Sequence, residues 1–247
     1  SLVEGDGFVT IPPEVAELNA GETVTVTLFA ETVQPPTVLC VGEDDPVFST
    51  MLDELGTPRF LHVGSTEGAR RLTDGVPDVA VVSGPVDSTG EILGEYYREW
   101  GLVVEAGNPQ DITGIASLLT QDVMFVNRFH GAGIRASFEA KLAEYAGTTE
   151  MSTEEVREGI IGFENGVKGH ASPARTVIDG AADVGLGLRV SADSLGLKFI
   201  SLGYEPVRIL GNPDRREKQG VKDLVTVLSE TEQYVRGQSG YTTEPPA

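Results

Sequence analysis

The sequence predicts an α/β protein built from two similar lobes, and three observations carry that prediction. From Thr37 onward short apolar runs alternate with segments of helical periodicity, the pattern of mostly parallel sheets covered on both faces. The phrase Ala69-Arg70-Arg71-Leu72-Thr73-Asp74-Gly75-Val76-Pro77-Asp78-Val79-Ala80 returns 105 residues later as Ala174-Arg175-Thr176-Val177-Ile178-Asp179-Gly180-Ala181-Ala182-Asp183-Val184-Gly185. Each copy reads as a helix end, a glycine stop and an Asp-Val pair opening an apolar strand, so one helix-to-strand unit serves twice. With 247 residues, 40% of them hydrophobic, the chain is long enough to bury a core in each lobe. Paired lobes of this kind bind ligands in the cleft between them.

Residues 1–33 differ from the rest. A strand is predicted over 7–11, ended by Pro12-Pro13, then a turn over 18–22 and a strand over 23–29 whose apolar residues alternate with period two. A lone strand pair is marginal, so this segment is expected to be the end of a β domain, with 31–36 as a stiff linker. The second domain is predicted over 37–247. Its elements are strand 37–42, helix 46–56, strand 59–63, helix 65–75, strand 78–83, strand 101–106, strand 122–127, helices 132–146, 152–160 and 171–180, strand 183–188, helix 190–196, strands 197–202 and 206–210, and helix 217–236. The first lobe is expected to take 37–107 and 204–247, the second 108–203, with crossings near Gly107 and Gly203 and a loose tail from Gly237.

Composition excludes several classes of function. A formal charge of −20, from 38 acidic and 18 basic residues, repels nucleic acid and anionic membranes, so neither is expected as a partner. The acids are spread along the chain and lysines are few, which suits solubility at high salt and points to a halophilic source. No apolar run reaches a membrane span, and Ser1–Gly7 carry neither a basic start nor an apolar signal core, so a cytoplasmic protein is expected. The one cysteine, Cys40, lies in the apolar run 38–41 and reads as core.

The chemistry-bearing residues gather at strand-to-helix joints. Asn127-Arg128-Phe129-His130-Gly131-Ala132-Gly133-Ile134-Arg135 leaves a strand and opens a helix. Its glycines permit close backbone approach and the first-turn amides form an anion cradle, to which Asn127, Arg128 and Arg135 can add donors. Gly131 to Ala136 also fits a dinucleotide glycine pattern, but four residues separate Val126 from Gly131 and no acid-ended second strand follows. Gly64-Ser65-Thr66-Glu67-Gly68 mirrors the cradle in the first lobe. Ser65 there reads as a helix cap with Glu67 its partner, and the hydroxyls of Ser65 and Thr66 can also donate to an oxyanion. Asp45 before Pro46 reads as an N-cap. His170 precedes a helix start and His130 sits in the glycine loop; each alone reads as structural, and both can reach a cleft. His62 is assigned to core or sheet edge. The candidate ligand-binding set is therefore Ser65, Thr66, Asn127, Arg128, His130, Gly131, Gly133 and His170. No metal spacing, cofactor motif or Gly-x-Ser-x-Gly elbow is present, so no metal, cofactor or catalytic residue is assigned. Asp78 and Asp183, at equivalent repeat positions, read as turn or cap residues.

Several phrases, taken in order, resemble a known family. They are Val63-Gly64-Ser65-x-x-Gly68, Asp78-Val79-Ala80, Phe125-Val126-Asn127-Arg128-x-x-Gly131-x-Gly133-x-Arg135, His170 with its helix, Ala182-Asp183-Val184-Gly185-Leu186-Gly187, and Leu195-Gly196-Leu197-x-Phe199-Ile200. Across Thr37 to about Tyr241 they resemble the periplasmic-binding-protein-like domain attached to archaeal and bacterial molybdenum-cofactor proteins and to some transcription regulators. Gly7 to Phe29 looks like the carboxy-terminal β domain of molybdopterin molybdotransferases. The resemblance implies a bilobal type II periplasmic-binding-protein-like fold, an archaeal source, and a cleft ligand that is a small oxyanion (molybdate or tungstate) or a pterin such as molybdopterin. Where the family's first-lobe strand runs into His-Leu, this chain has Val82-Ser83. Three functions stay open: a ligand-binding module for molybdenum-cofactor assembly, a component of a molybdotransferase enzyme, and an interaction or homodimerisation module with a vestigial cleft.

Overall fold

A computed structural model describes residues 5–19 and 21–246. Ser1–Glu4, Ala20 and Ala247, which belong to the predicted β segment, its turn and the tail, lie outside the described residues. The chain begins with an antiparallel hairpin, β1 (Gly7–Val9) and β2 (Val26–Leu28), shorter than the predicted strands. Phe8, Val26, Leu28 and Phe29 on it are exposed, and Arg59 binds Asp6 at 2.5 Å between hairpin and body.

The first half of the body follows the predicted alternation: β3 (Val38–Gly42), α1 (Pro46–Leu52), β4 (Pro58–His62), α2 (Ser65–Thr73) and β5 (Val79–Ser83). A long strand, β6 (Glu91–Val104), then runs through the molecule. The second half holds α3 (Ile115–Thr120), β7 (Phe125–Arg128), α4 (Gly133–Ala146), α5 (Thr153–Glu158), β8 (Gly166–Val167), α6 (Ser172–Ile178), β9 (Val184–Leu188) and α7 (Arg189–Ser194). The long β10 (Lys198–Gly211) returns to the first half, followed by α8 (Gln219–Leu228), α9 (Thr231–Val235) and β11 (Tyr241–Thr242).

In the described residues β4-β3-β5-β10-β6-β9-β7-β8 form one path, with β11 paired to β6. Parallel pairs make the outer parts, β3 with β4 and β5, and β7 with β8 and β9. The antiparallel β6/β10 ribbon joins them. Each half buries apolar side chains on both faces with the period of a strand: on β5, Val79 and Val81 enter one cluster while Ala80 and Val82 enter another. Along β6, Tyr96 belongs to the first half's core and Trp100 to the second's. The passage between halves therefore falls inside β6, ahead of Gly107, which lies in the turn beyond the strand. On β10 it coincides with a bulge between Ser201 and Gly203. The tail expected to be loose instead pairs with β6, Tyr241 opposite Arg98.

The repeated aspartates have one job. Asp78, buried, accepts the Leu39 amide at 2.8 Å and Lys218 Nζ at 2.5 Å; Asp183 accepts the Met124 amide at 2.7 Å. Each fixes the entry of the neighbouring parallel strand. Asp78→Ala is expected to cost about 1–3 kcal/mol in urea denaturation, because it strands a buried amide and removes an ion pair, and the less buried Asp183→Ala under about 1 kcal/mol. Equal losses would contradict this account. Cys40 is fully buried, and burial pushes its thiol far above the ordinary range. Among the described residues no helix is long and apolar enough to cross a membrane.

Candidate functional site

The two halves converge on the side chain of Glu43. β3 delivers Glu43, Asp44 and Asp45 at its carboxyl end, where a parallel sheet presents its loops. Asp45 caps α1 as predicted, accepting the amides of Val47 and Phe48 at 3.0 and 3.1 Å, with Pro46 opening the helix. Glu43 is 0% exposed and points into the interface. Its Oε2 accepts the Gly133 amide at the start of α4 at 2.9 Å and the Ser65 hydroxyl at the start of α2 at 2.9 Å. Its Oε1 lies 3.4 Å from Arg128 Nη2 and 3.7 Å from Arg98 Nη2. One carboxylate thus receives donors from both predicted cradles, with the positive ends of two helix dipoles directed at it.

Glycine makes the approach of the halves possible. Gly64 caps α2 with φ of 86°, and the Thr66 amide donates to the Gly131 carbonyl at 3.2 Å. Any side chain at Gly133 would collide with Ser83, in backbone and hydroxyl alike. Ser83, where the family resemblance expected a different pair, is part of the site: its amide donates to Ser65 Oγ at 2.9 Å and its hydroxyl accepts from Arg98 at 2.8 Å.

Around Glu43 lies a buried ionic network. Arg98 gives Glu205 two hydrogen bonds, of 2.9 and 2.7 Å, and Asp45 one of 3.0 Å. Burial opposes the charge on Arg98, but Glu205, Asp45 and Glu43 outweigh it and hold its pKa well above the ordinary value. Burial dominates at Arg128, whose pKa falls, and at Glu205, whose pKa rises. Ser137 donates to Glu205, while Tyr96 and Tyr241 donate to Asp45 at 2.6 and 2.9 Å. Burial, with Asp45 adding to it, lifts both phenols well above their usual range. Arg128 is 1% exposed, and its Nε is buried with no partner. At the rim, Asp44 accepts the His170 amide at 2.9 Å, approaches His170 Nδ1 to 3.0 Å and lies 3.4 Å from His62 Nδ1. Burial works against its charge, but the His170 contacts hold the Asp44 carboxyl well below the carboxylate range. A cavity of about 410 Å³ flanks the network, lined by Gly84, Trp100, Ser137, Tyr204 and Glu205 among others.

Of the sequence-predicted residues, Ser65, Arg128 and Gly133 converge on Glu43, Gly131 and Thr66 join the halves through backbone, and His170 stands at the rim. Four readings need correction. Ser65 is not the cap of α2, because its hydroxyl is taken by Glu43 and Ser83 while Gly64 holds the cap position. Asn127 shapes the loop, donating to the Phe163 carbonyl and accepting from the Arg128 amide, which leaves Arg128 aimed inward. His130 is exposed and paired with Glu164, and Arg135 donates to Glu139, Glu164 and the Arg128 carbonyl, so neither faces Glu43. Sequence reasoning missed Glu43, Ser83, Arg98 and Glu205. The signal for Arg98 was its alternation with Tyr96 and Trp100, which places it on their buried face. Among the described residues no group of three or more His, Cys, Asp or Glu side chains is placed to hold a metal.

Comparison with known proteins decides the family. The PBP superfamily domain matches residues 90–229, more than half of the chain. The chain belongs to the PBP superfamily. YvgK of Bacillus subtilis, itself uncharacterized, is 31% identical over 162 residues, 63% of this chain. The chain spans about half, 49%, of that curated relative's length. Among solved structures, an ABC-type phosphate transport receptor from Vibrio cholerae aligns with a TM-score of 0.56 and 18% identity, over 84% of this chain and 100% of that one. The sulfate-binding protein SubI of Mycobacterium tuberculosis aligns with a TM-score of 0.61 and 13% identity over 84% and 86%. A periplasmic thiamin binding protein gives 0.62 and 8% over 88% and 86%. At these identities the likeness concerns fold, and the fold is the type II arrangement of PBP superfamily members, preceded here by a short β hairpin.

Proposed function

We propose that this chain is a ligand-binding module that takes a small oxyanion, molybdate or tungstate, or the phosphate of a pterin such as molybdopterin, between its two halves during molybdenum-cofactor assembly. The observation that carries the reading is the placement of one oxyanion-shaped group, the Glu43 carboxylate, on the Gly133 amide, the Ser65 hydroxyl and two buried arginines. Amides at helix amino-termini and guanidinium forks are the standard donors for such ligands. The phosphate and sulfate named for the fold neighbours support this ligand class, and the sequence phrases shared with domains of molybdenum-cofactor proteins support the choice of metal oxyanion.

Thermal shift in molar potassium chloride tests it, since a ligand that binds only the native state raises the melting temperature by mass action. Molybdate or tungstate is expected to give a saturable rise, and Arg128→Ala to weaken binding about ten- to a hundredfold through loss of a charge-assisted contact. No shift with any oxyanion or pterin would overturn the reading. A second reading, an interaction or homodimerisation module with a vestigial cleft, is favoured by Glu43 already satisfying Gly133 and Ser65. It predicts a concentration-dependent mass and no ligand response. A role as one part of a molybdotransferase is tested by assaying this chain for metal insertion into molybdopterin.

A further inference from the structure

We propose that Glu43 is an internal competitor for the cleft: its carboxylate holds the oxyanion position between the halves, and a tetrahedral dianion binds by displacing it. This rests on the oxyanion reading above and assigns to Glu43 the control of ligand charge and affinity.

Two features separate Glu43 from an ordinary structural ion pair. First, Glu43 accepts from both helix starts, the Gly133 amide and the Ser65 hydroxyl, so it holds the point where the two halves converge. Second, the cation facing it is incompletely used. Arg98 engages Glu205 through two hydrogen bonds, as a buried pair held for stability does. Arg128 reaches Glu43 through a single 3.4 Å contact, and its Nε, inside a residue only 1% exposed, has no partner. A planar carboxylate offers two oxygens, and Glu43 spends one on Gly133 and Ser65 and the other on two distant guanidiniums. A tetrahedral anion offers four oxygens and a second negative charge, which fits the unused donor of Arg128. Because Glu43 is part of the chain, it competes at the effective concentration of a tethered group, and the apparent affinity of any free anion falls by that factor.

The test measures binding of sodium molybdate and sodium sulfate by calorimetry at ionic strength fixed with potassium chloride, for the parent chain, Glu43→Gln, Glu43→Ala and Glu43→Asp. Glu43→Gln, which keeps the shape and removes the charge, is expected to bind molybdate about tenfold or more tightly than the parent, and Glu43→Asp, with a shorter reach, to fall between them. The melting temperature of Glu43→Ala is expected to drop and to be restored by formate, sulfate or molybdate but not by added chloride. Should Glu43→Ala fail to fold, the calorimetric ranking of the other two variants decides. Tighter binding in the variants than in a parent that binds detectably supports the competitor; binding by the variants alone means that the anion does not displace Glu43 and overturns both the inference and the proposed function. A parent that binds molybdate as well as or better than Glu43→Gln overturns the inference and leaves the proposed function intact. No oxyanion binding by any of the four overturns both.

Discussion

Replacing Arg98 by methionine is expected to destabilise the chain by about 3–5 kcal/mol at neutral pH, because it leaves buried carboxylates without their cation. Arg98 is 1% exposed, hydrogen-bonds Glu205 and Asp45 and lies 3.7 Å from Glu43, so no solvent is at hand to replace it. The pH dependence identifies the cause. Glu205, which burial already raises in the parent, loses the Arg98 charge that lowers it, so its folded-state pKa values in parent and variant both lie above the unfolded one and the variant's is the higher. The deficit is therefore full above those raised values and shrinks as the pH falls through them. Asp44 runs the other way: held low by His170, it contributes stability above its unfolded pKa of about 4 that is lost as acid protonates it. That loss is common to parent and variant and cancels in the difference. Urea titrations of both from pH 8 to 5 check the result. A deficit under about 1 kcal/mol, or one that grows on acidification, contradicts the role given to Arg98.

Gly133→Ala is expected to act against its own helix propensity. In an exposed helix the change stabilises by about 1 kcal/mol. At Gly133 the new methyl meets the backbone and hydroxyl of Ser83 from the opposite half. Overpacking of this kind costs about 1–3 kcal/mol, and relief requires the halves to part, which withdraws the Gly133 amide from Glu43. The melting temperature is expected to fall and the radius of gyration from solution scattering to rise, with helix content by circular dichroism unchanged. An equally compact variant of parental stability would show that the halves do not meet at this position.

Local pattern carried much of the fold and little of the site, for physical reasons that particular residues make plain. The apolar strands of β3, β5 and β9 and the helices between them are legible because burial on both faces leaves unbroken hydrophobic runs. The first part of β6, from Glu91 to Trp100, was not read as strand. Its inward positions include Arg98, a charge that only partners from distant parts of the chain make tolerable. β10 was read as two strands because Gly203 and Pro206 look like breakers; the ladder absorbs them beside a bulge. The predicted helix 217–236 is divided near Ser229-Glu230, where neither glycine nor proline gives warning. Ser65, Arg128 and Gly133 were found because helix starts have their own chemistry. Glu43 reads locally as part of a solvated acidic turn, and its burial follows from Arg98, Arg128 and Gly133, none of which is near it in sequence.

The pairing of β11 with β6, which sets the Tyr241 hydroxyl on Asp45 at 2.9 Å, bears on the order in which a ribosome delivers the parts. Glu43 and Asp45 emerge early, Arg98 some fifty residues later, and Glu205 and Tyr241 after every strand of the second half has been made. During synthesis the early carboxylates therefore stay hydrated, since burying them before their cation and phenols arrive would strand unpaired charge. Closure of the halves is thereby coupled to the arrival of β11, and contacts of such long separation make that step slow.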